Sequence, residues 1–400
     1  MIDGIPVWNV VDESAFNQIK TCVRDEGVAG GALMADHHKG YSMPIGGVVA
    51  YRNRISPSGV GYDISCGNKA IKTNLTGEDI KKDLGKLMDT IASRISFGVG
   101  RINKEPFDHP LFDEPLWNDI PYLKKLKPLA QEQLGTVGAG NHYVDVLLDQ
   151  NDQVWIANHF GSRGFGHKIA SGFLNLAHGR KFDDSPRGEN MDAPPTVFEL
   201  KSNIGQDYWA CMKLAGQYAY AGRDWVLDKV LTILGARSLE SVHNHHNYAW
   251  EETHNGEKLI VIRKGATPAF PGQKSFIGGS MGDNSVIIEG VDHPESKLAF
   301  YSTVHGAGRV MSRRAAAGKP IWKKGRVTRK GGLITYEMMH QWLKEKKVEL
   351  RGGSLDESPH CYKRLTDVLN EHQNSIKILY VLRPVGVAMA GEDVYDPFID

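Results

Sequence analysis

The chain has 400 residues and a mass of 44.3 kDa, more than one simple hydrophobic core usually organises, so its length fits two or three domains or one elaborated enzyme domain. Apolar residues at 41% and charged residues at 24% exclude a fibrous, disordered or disulfide-stapled chain, because enough apolar surface exists to offset chain ordering. With 48 Lys and Arg against 47 Asp and Glu, the net charge of +1 excludes a nucleic-acid binder that works by bulk attraction, and any polyanion must be held by a local patch.

The N-terminal stretch Met1 to Trp8 lacks a basic segment followed by an apolar one, and no run reaches 18 consecutive apolar residues. A soluble, untargeted, cytoplasmic protein with no membrane contact is expected. No repeat, low-complexity tract or long linker appears, so one elaborated domain is the simpler reading. Of the four cysteines, Cys22, Cys211 and Cys361 are expected to serve packing. Cys66 differs, lying in Gly61-Tyr62-Asp63-Ile64-Ser65-Cys66-Gly67 with a carboxylate three residues away. The plain alternative there is a small buried side chain in a tight turn.

Thr76-Gly77-Glu78-Asp79 opens an amphipathic run to about Ile95, with Thr76 as N-cap and acids in the first turn. A strand follows over 141 to 148, after Gly135-Thr136-Val137-Gly138-Ala139-Gly140. A period of two would send His142, Val144 and Val146 to one face and Asn141, Tyr143 and Asp145 to the other. The next strand, 153 to 159, delivers His159 into Gly161-Ser162-Arg163-Gly164 ahead of a helix. That order makes a phosphate cradle, or else a Gly turn with a surface Arg.

A helix is expected over 201 to 234, and then His243-Asn244-His245-His246 places three imidazoles within four positions. Each needs polar partners if buried, and metal ligation explains at least one of them better than a surface patch. Together Asp63, Cys66, His142, His159 and His246 form a mixed N, O and S donor set spread along the chain, as in catalytic rather than structural metal sites. Strands are expected over 258 to 263, 285 to 289 and 377 to 389, and a helix over 335 to 347. Helices and strands mix without a regular βαβα rhythm, which predicts an α+β fold.

From residue 302 through 336 there is no Asp or Glu, while Arg309, Arg313, Arg314, Lys319, Lys323, Lys324, Arg326, Arg329 and Lys330 supply nine positive charges beside His305-Gly306-Ala307-Gly308. With Trp322 among them, this segment is expected to meet a phosphodiester backbone, the alternative being a merely solvated face. No Walker A spacing and no Lys-x-Asp-Gly occurs, so a covalently carried nucleotidyl group would fall to histidine.

Taken in order, Asp36-His37-His38-Lys39-Gly40, Gly61 to Gly67, Gly140-Asn141-His142, His159 to Gly164, His246-Asn247-Tyr248-Ala249, Arg263 to Thr267, Gly279-Ser280-Met281-Gly282, His305-Gly306-Ala307-Gly308-Arg309 and Asp356-Glu357-Ser358-Pro359 resemble the RtcB-type RNA ligase family. The resemblance implies one large RtcB-like α+β domain over 1 to 400, with mixed sheets around a central metal and nucleotide cleft. It implies two Mn²⁺ ions on Asp63, Cys66, His142, His159 and His246, and His305 as the catalytic nucleophile that takes GMP from GTP. Asn141, Asp145, Ser280, Ser285, Gly306, Gly308, Arg309 and Tyr362 are implied around the nucleotide. The implied substrates are RNA 3'-phosphate or 2',3'-cyclic phosphate ends and 5'-hydroxyl ends, as in tRNA splicing and RNA repair. An accessory activating protein and a monomeric or weakly oligomeric state are further expectations.

Two rival readings are a binuclear phosphoesterase acting on RNA ends and a non-catalytic, metal-stabilised RNA-binding protein. Against the family's pattern, Asp145 stands for a usual Glu, His37 precedes His38 where Val is usual, and Ala390 stands where a base-reading Lys precedes the terminal Gly. Glu392 and Asp393 are the nearby carboxylates that could replace that lysine as guanine contacts.

Overall fold

The computed structural model describes residues 1–185, 190–323 and 326–392, and within them the side chains of all but residues 320, 322, 323 and 326–328. Its frame is a curled eight-stranded sheet. Seven strands run antiparallel in the order Ser238–His245, Gly67–Thr76, Gln153–Phe160, Tyr143–Leu148, Ile376–Gly391, Ser285–Gly290 and Lys274–Ile277. Glu349–Gly353 joins Ile376–Gly391 in parallel. The two ends of the row almost meet. Asn68 Nδ2 donates to the Phe276 carbonyl at 3.1 Å, and Phe276 N donates to Asn244 Oδ1 at 3.0 Å. Two asparagines thus satisfy backbone groups that an open sheet edge would leave unpaired.

Alternation along the strands sorts their side chains. Ile71, Val144, Val146 and Ile156 lie on the outer face, against Met88, Ile91, Val226, Leu227 and Val230 of two helices. Ala70, Tyr143, Leu147, Trp155, Val387 and Met389 lie on the other face, with Phe276 and Ile287. The larger covering helix, Asn203–Leu234, begins where Ser202 Oγ accepts from Gly205 N and ends at Gly235 with φ of 63°. Its apolar and small residues leave a broad buried stripe, which is why the periodicity is visible in the sequence.

A second, four-stranded antiparallel sheet has the order Val28–His38, Ile45–Tyr51, Glu257–Lys264 and Asn247–His254. Arg263, fully buried in it, donates to both oxygens of Glu252, at 2.7 and 3.1 Å, and to Ser302 Oγ and the Phe300 carbonyl. Burial alone would raise the Glu252 carboxyl, but the Arg263 charge and the His254 and Arg263 hydrogen bonds hold it below 4.5. A carboxyl depressed on folding stabilises the fold above its unfolded value, and that contribution fades as pH falls through the folded one. Glu252→Gln is expected to cost about 3–5 kcal/mol, the range for stranding one buried partner. Chemical denaturation at pH 7 measures it, and a change under about 0.5 kcal/mol, the size of a neutral surface substitution, refutes it.

The strands expected at 153 to 159, 258 to 263, 285 to 289 and 377 to 389 and the helices at 201 to 234 and 335 to 347 are present as Gln153–Phe160, Glu257–Lys264, Ser285–Gly290, Ile376–Gly391, Asn203–Leu234 and Tyr336–Lys346. The fold is α+β, as expected. Two expectations are corrected. The run from Thr76 is two helices, Gly77–Lys81 and Leu84–Arg94, because Asp83 N closes back on the Ile80 carbonyl at 3.2 Å and no apolar residue anchors the turn between them. The strand expected from 141 begins only at Tyr143, so His142 is not governed by strand alternation. No helix among the described residues is long and apolar enough to cross a membrane.

Candidate active site

A cleft of about 720 Å³ opens between the two sheets and takes lining from both. Cys66 and Asp63 enter it from the turn before Gly67–Thr76, His159 from the end of Gln153–Phe160, His142 from the residue before Tyr143–Leu148, and His246 from the link between two strands. Their donor atoms form two groups, Cys66 with His159 and His246, and Asp63 with Cys66 and His142, each with all atoms within 4.8 Å of one another. Cys66 belongs to both. Its Sγ lies 3.4 Å from His159 Nε2 and 3.6 Å from His142 Nε2, and Asp63 Oδ2 lies 3.0 Å from His142 Nε2.

The surroundings prepare these groups as ligands. Asn68 Oδ1 accepts from His159 Nδ1 at 2.7 Å, which leaves the Nε2 lone pair on the Cys66 side. The His159 ring is stacked between Tyr143 at 5.4 Å and His246 at 5.0 Å. Burial, with neighbouring imidazoles, pushes His159 and His246 well below 6.5, the neutral form that binds metals. Burial opposes ionisation of Asp63, yet the His142 hydrogen bond and charge bring it to about 2. Burial, then Asp63, push the Cys66 thiol well above 9.0. His246 Nδ1 is buried with no hydrogen-bond partner in the protein, as a ligand atom would be. This donor set, with the Cys66 thiol common to both groups, fits a divalent metal site.

His305 stands on the opposite wall, its ring 5.0 Å from that of His246. One oxygen of the fully buried Asp36 accepts from His305 Nδ1 at 2.6 Å and from the His305 and Gly306 backbone amides at 3.0 and 3.3 Å. Burial would raise the Asp36 carboxyl, but these His305 contacts hold it below 3.8. The proton is thereby kept on Nδ1, which leaves Nε2 as the ring nitrogen directed away from the carboxylate. Gly308, with φ of +76°, sits where a Cβ would lie 2.3 Å from the Asp36 carbonyl, so the turn closes over the carboxylate only with glycine.

Of the residues implied around a nucleotide, Asn141, Asp145, Ser280, Gly306, Gly308, Arg309 and Tyr362 line the cleft. Ser285 does not. It lies behind the loop, its Oγ accepting from Gly279 N at 3.0 Å. Burial raises the Asp145 carboxyl well above 3.8. His142 does not diverge from Asn141, Tyr143 and Asp145, and all four reach the same cleft, because the strand starts after His142.

The structure also places three further features of the sequence. The Gly161 to Gly164 loop is not an open phosphate cradle, since Ser162 N donates to the Ile64 carbonyl and Gly164 N to Gln133 Oε1. The Arg163 guanidinium instead packs on Gly138 and donates to His142 Nδ1 at 3.3 Å. The basic segment is partly neutralised. Arg313 pairs with Asp356 and Glu357, and Arg309 donates to the Tyr362 hydroxyl and the Asp356 carbonyl. Arg329 lies 3.8 Å from Glu392, while Arg314, Lys319 and Lys330 are exposed. Lys324 lies outside the described residues, as do the side chains of Trp322, Lys323 and Arg326. Finally, Val387 and Met389 face the cleft while Ala390 does not. Glu392 accepts from the Tyr336 hydroxyl and Leu355 N, and Asp393 lies outside the described residues.

Residue reasoning had not given Asn68 or Asp36 a role. Asp36 carried a signal, a carboxylate in the apolar run Leu33-Met34-Ala35, and Asn68 carried none.

A model of the family described as tRNA-splicing ligase RtcB matches residues 18–120 and 119–390 of the chain. RNA-splicing ligase RtcB of Escherichia coli K12 is 32% identical over 385 residues, covering 88% of each chain. tRNA-splicing ligase RtcB of Thermococcus kodakarensis is 31% identical over 433 residues, covering 89% of this chain and 86% of its own. The protein of that name from Archaeoglobus fulgidus is 31% identical over 463 residues, covering 96% and 92%.

Proposed function

Since this chain belongs to the RtcB tRNA-splicing ligase family and is an RNA ligase, we propose that it joins RNA 3'-phosphate or 2',3'-cyclic phosphate ends to 5'-hydroxyl ends, with GTP as co-substrate and two Mn²⁺ ions. The observation that carries the reading is the His305–Asp36 pair facing two donor groups that share Cys66. Asp63, Cys66, His142, His159 and His246 would hold the metals, whose positive charge would offset the negative charge that accumulates in phosphoryl transfer.

His305 Nε2 attacks the α-phosphorus of GTP, and the bond to the pyrophosphate oxygen breaks. Asp36 holds the Nδ1 proton and offsets the positive charge that the imidazole gains. The RNA 3'-phosphate oxygen next attacks the same phosphorus and releases His305 to its starting form. The 5'-hydroxyl then attacks the RNA phosphate, with GMP leaving. A phosphate monoester is a poor electrophile until it carries such a leaving group. Asp145 and Asn141, at the cleft wall, are proposed nucleotide contacts.

The test is a gel assay on a nicked or split RNA bearing a 3'-phosphate and a 5'-hydroxyl. Sealed product that requires both manganese and GTP is expected. Release of inorganic phosphate without GTP dependence and without sealed product would favour the phosphoesterase reading.

A further inference from the structure

Arg223, in the helix Asn203–Leu234, has no solvent-exposed surface, and among the described residues no carboxylate lies within ion-pair distance of it. Its donors go elsewhere. Nη1 donates to the Ser65 carbonyl at 2.9 Å and the Phe160 carbonyl at 2.6 Å, Nη2 to His245 Nδ1 at 3.1 Å, and Nε to His243 Nε2 at 2.8 Å. Ser65 precedes Cys66, Phe160 follows His159, and His245 precedes His246. One guanidinium therefore touches the immediate chain neighbours of three of the five candidate ligands, on three segments that are far apart in sequence. The contact is reciprocal, because Asn158 Nδ2 donates to the Arg223 carbonyl at 2.9 Å. The Tyr220 ring, 5.1 Å from the guanidinium carbon, covers the remaining face.

A buried cation without a paired carboxylate is costly unless its hydrogen bonds are well made. Here the partners are two carbonyls and two neutral imidazoles, a set that fixes position rather than neutralises charge. A planar fork with five donors can span diverging segments, whereas a lysine ammonium on a single flexible stem cannot.

We propose that Arg223 is a positioning residue of the metal centre, which holds the segments carrying Cys66, His159 and His246 in register so that their donor atoms converge before an ion enters. The proposal rests on the reading of those three residues as metal ligands. Groups that hydrogen-bond ligands directly govern affinity by about 10- to 100-fold, and Arg223 acts on the same orientation through the ligands' chain neighbours.

The experiment uses the full chain with Arg223→Lys and Arg223→Met, titrated with Co²⁺ and read by the thiolate-to-cobalt absorption in the near ultraviolet, alongside thermal unfolding of the metal-free proteins. Both variants are expected to bind Co²⁺ about 10- to 100-fold more weakly, with the thiolate band reduced or shifted. A merely structural role would lower the unfolding temperature and leave the affinity of the folded protein unchanged, so native affinity in either folded variant overturns the proposal. Should both fail to fold, His243→Ala removes one partner at the edge of the network, with an expected loss of about tenfold. Unchanged affinity in that variant also overturns it. A wild-type chain without any thiolate band would overturn the metal centre itself, and the role of Arg223 with it.

Discussion

A His305→Ala chain incubated with manganese and α-labelled GTP is expected to retain no protein-bound label, whereas the native chain retains label that is lost in acid and stable in base. The expectation follows from the protonation geometry. Asp36 accepts from His305 Nδ1, so the other ring nitrogen is the one left to react, and the ring stands beside His246 on the cleft wall. His142, the other cleft histidine described with a carboxylate against its ring, spends its two nitrogens on Asp63 and Arg163. Sealing is expected to fall by roughly 10⁴- to 10⁶-fold, as when a covalent nucleophile is removed. Asp36→Asn keeps the shape but loses the charge that offsets the imidazolium, and labelling is expected to slow by about 10²- to 10⁴-fold. Equal labelling of His305→Ala and native protein would sink the nucleophile assignment.

Cys66→Ala should be the most damaging change on the metal side, because Cys66 alone belongs to both donor groups. Removing a ligand is expected to exceed the about 10- to 100-fold effect of removing an outer partner, and here both ions are affected together. His142→Ala leaves the Cys66, His159 and His246 group complete and is expected to spare one ion. Metal counting on desalted proteins separates the outcomes, and two ions retained by Cys66→Ala would refute the shared thiolate. Because burial holds the thiol well above 9.0, metal entry must displace its proton. Affinity for metal is therefore expected to rise with pH, about tenfold per unit across the neutral range, and to lose that slope in Cys66→Ala.

Much of this was legible along the chain. The helix Asn203–Leu234 shows its buried stripe in its pattern, and strands such as Gln153–Phe160 and Glu257–Lys264 read as short apolar runs buried on both faces, so these elements follow from local sequence alone. Val28–His38 was not legible, because its glycines and alanines have little strand preference and it is held by pairing with Ile45–Tyr51. The histidine cluster was legible only as a group. The tertiary structure divides it, turning His243 and His245 towards Arg223 and His246 towards Cys66 and His159. Arg223 itself had no local signal beyond the small residues around it, since what makes it significant is the identity of the segments it touches.

By itself, the sequence determined the chemical inventory and its order: a thiol three residues from a carboxylate, histidines at strand ends, a glycine-flanked histidine near arginines, and the family to which the whole pattern belongs. Only the tertiary structure decided which groups meet. It joined donors from Asp63 to His246 by curling one sheet until its ends were bridged by Asn68 and Asn244. It also directed Arg309 and Arg313 to Tyr362, Asp356 and Glu357, and turned Ala390 away from the cleft. The reason is physical: periodicity reports which face of an element is buried, whereas convergence depends on sheet curvature, register and competition among distant partners, none of which is encoded within a single element.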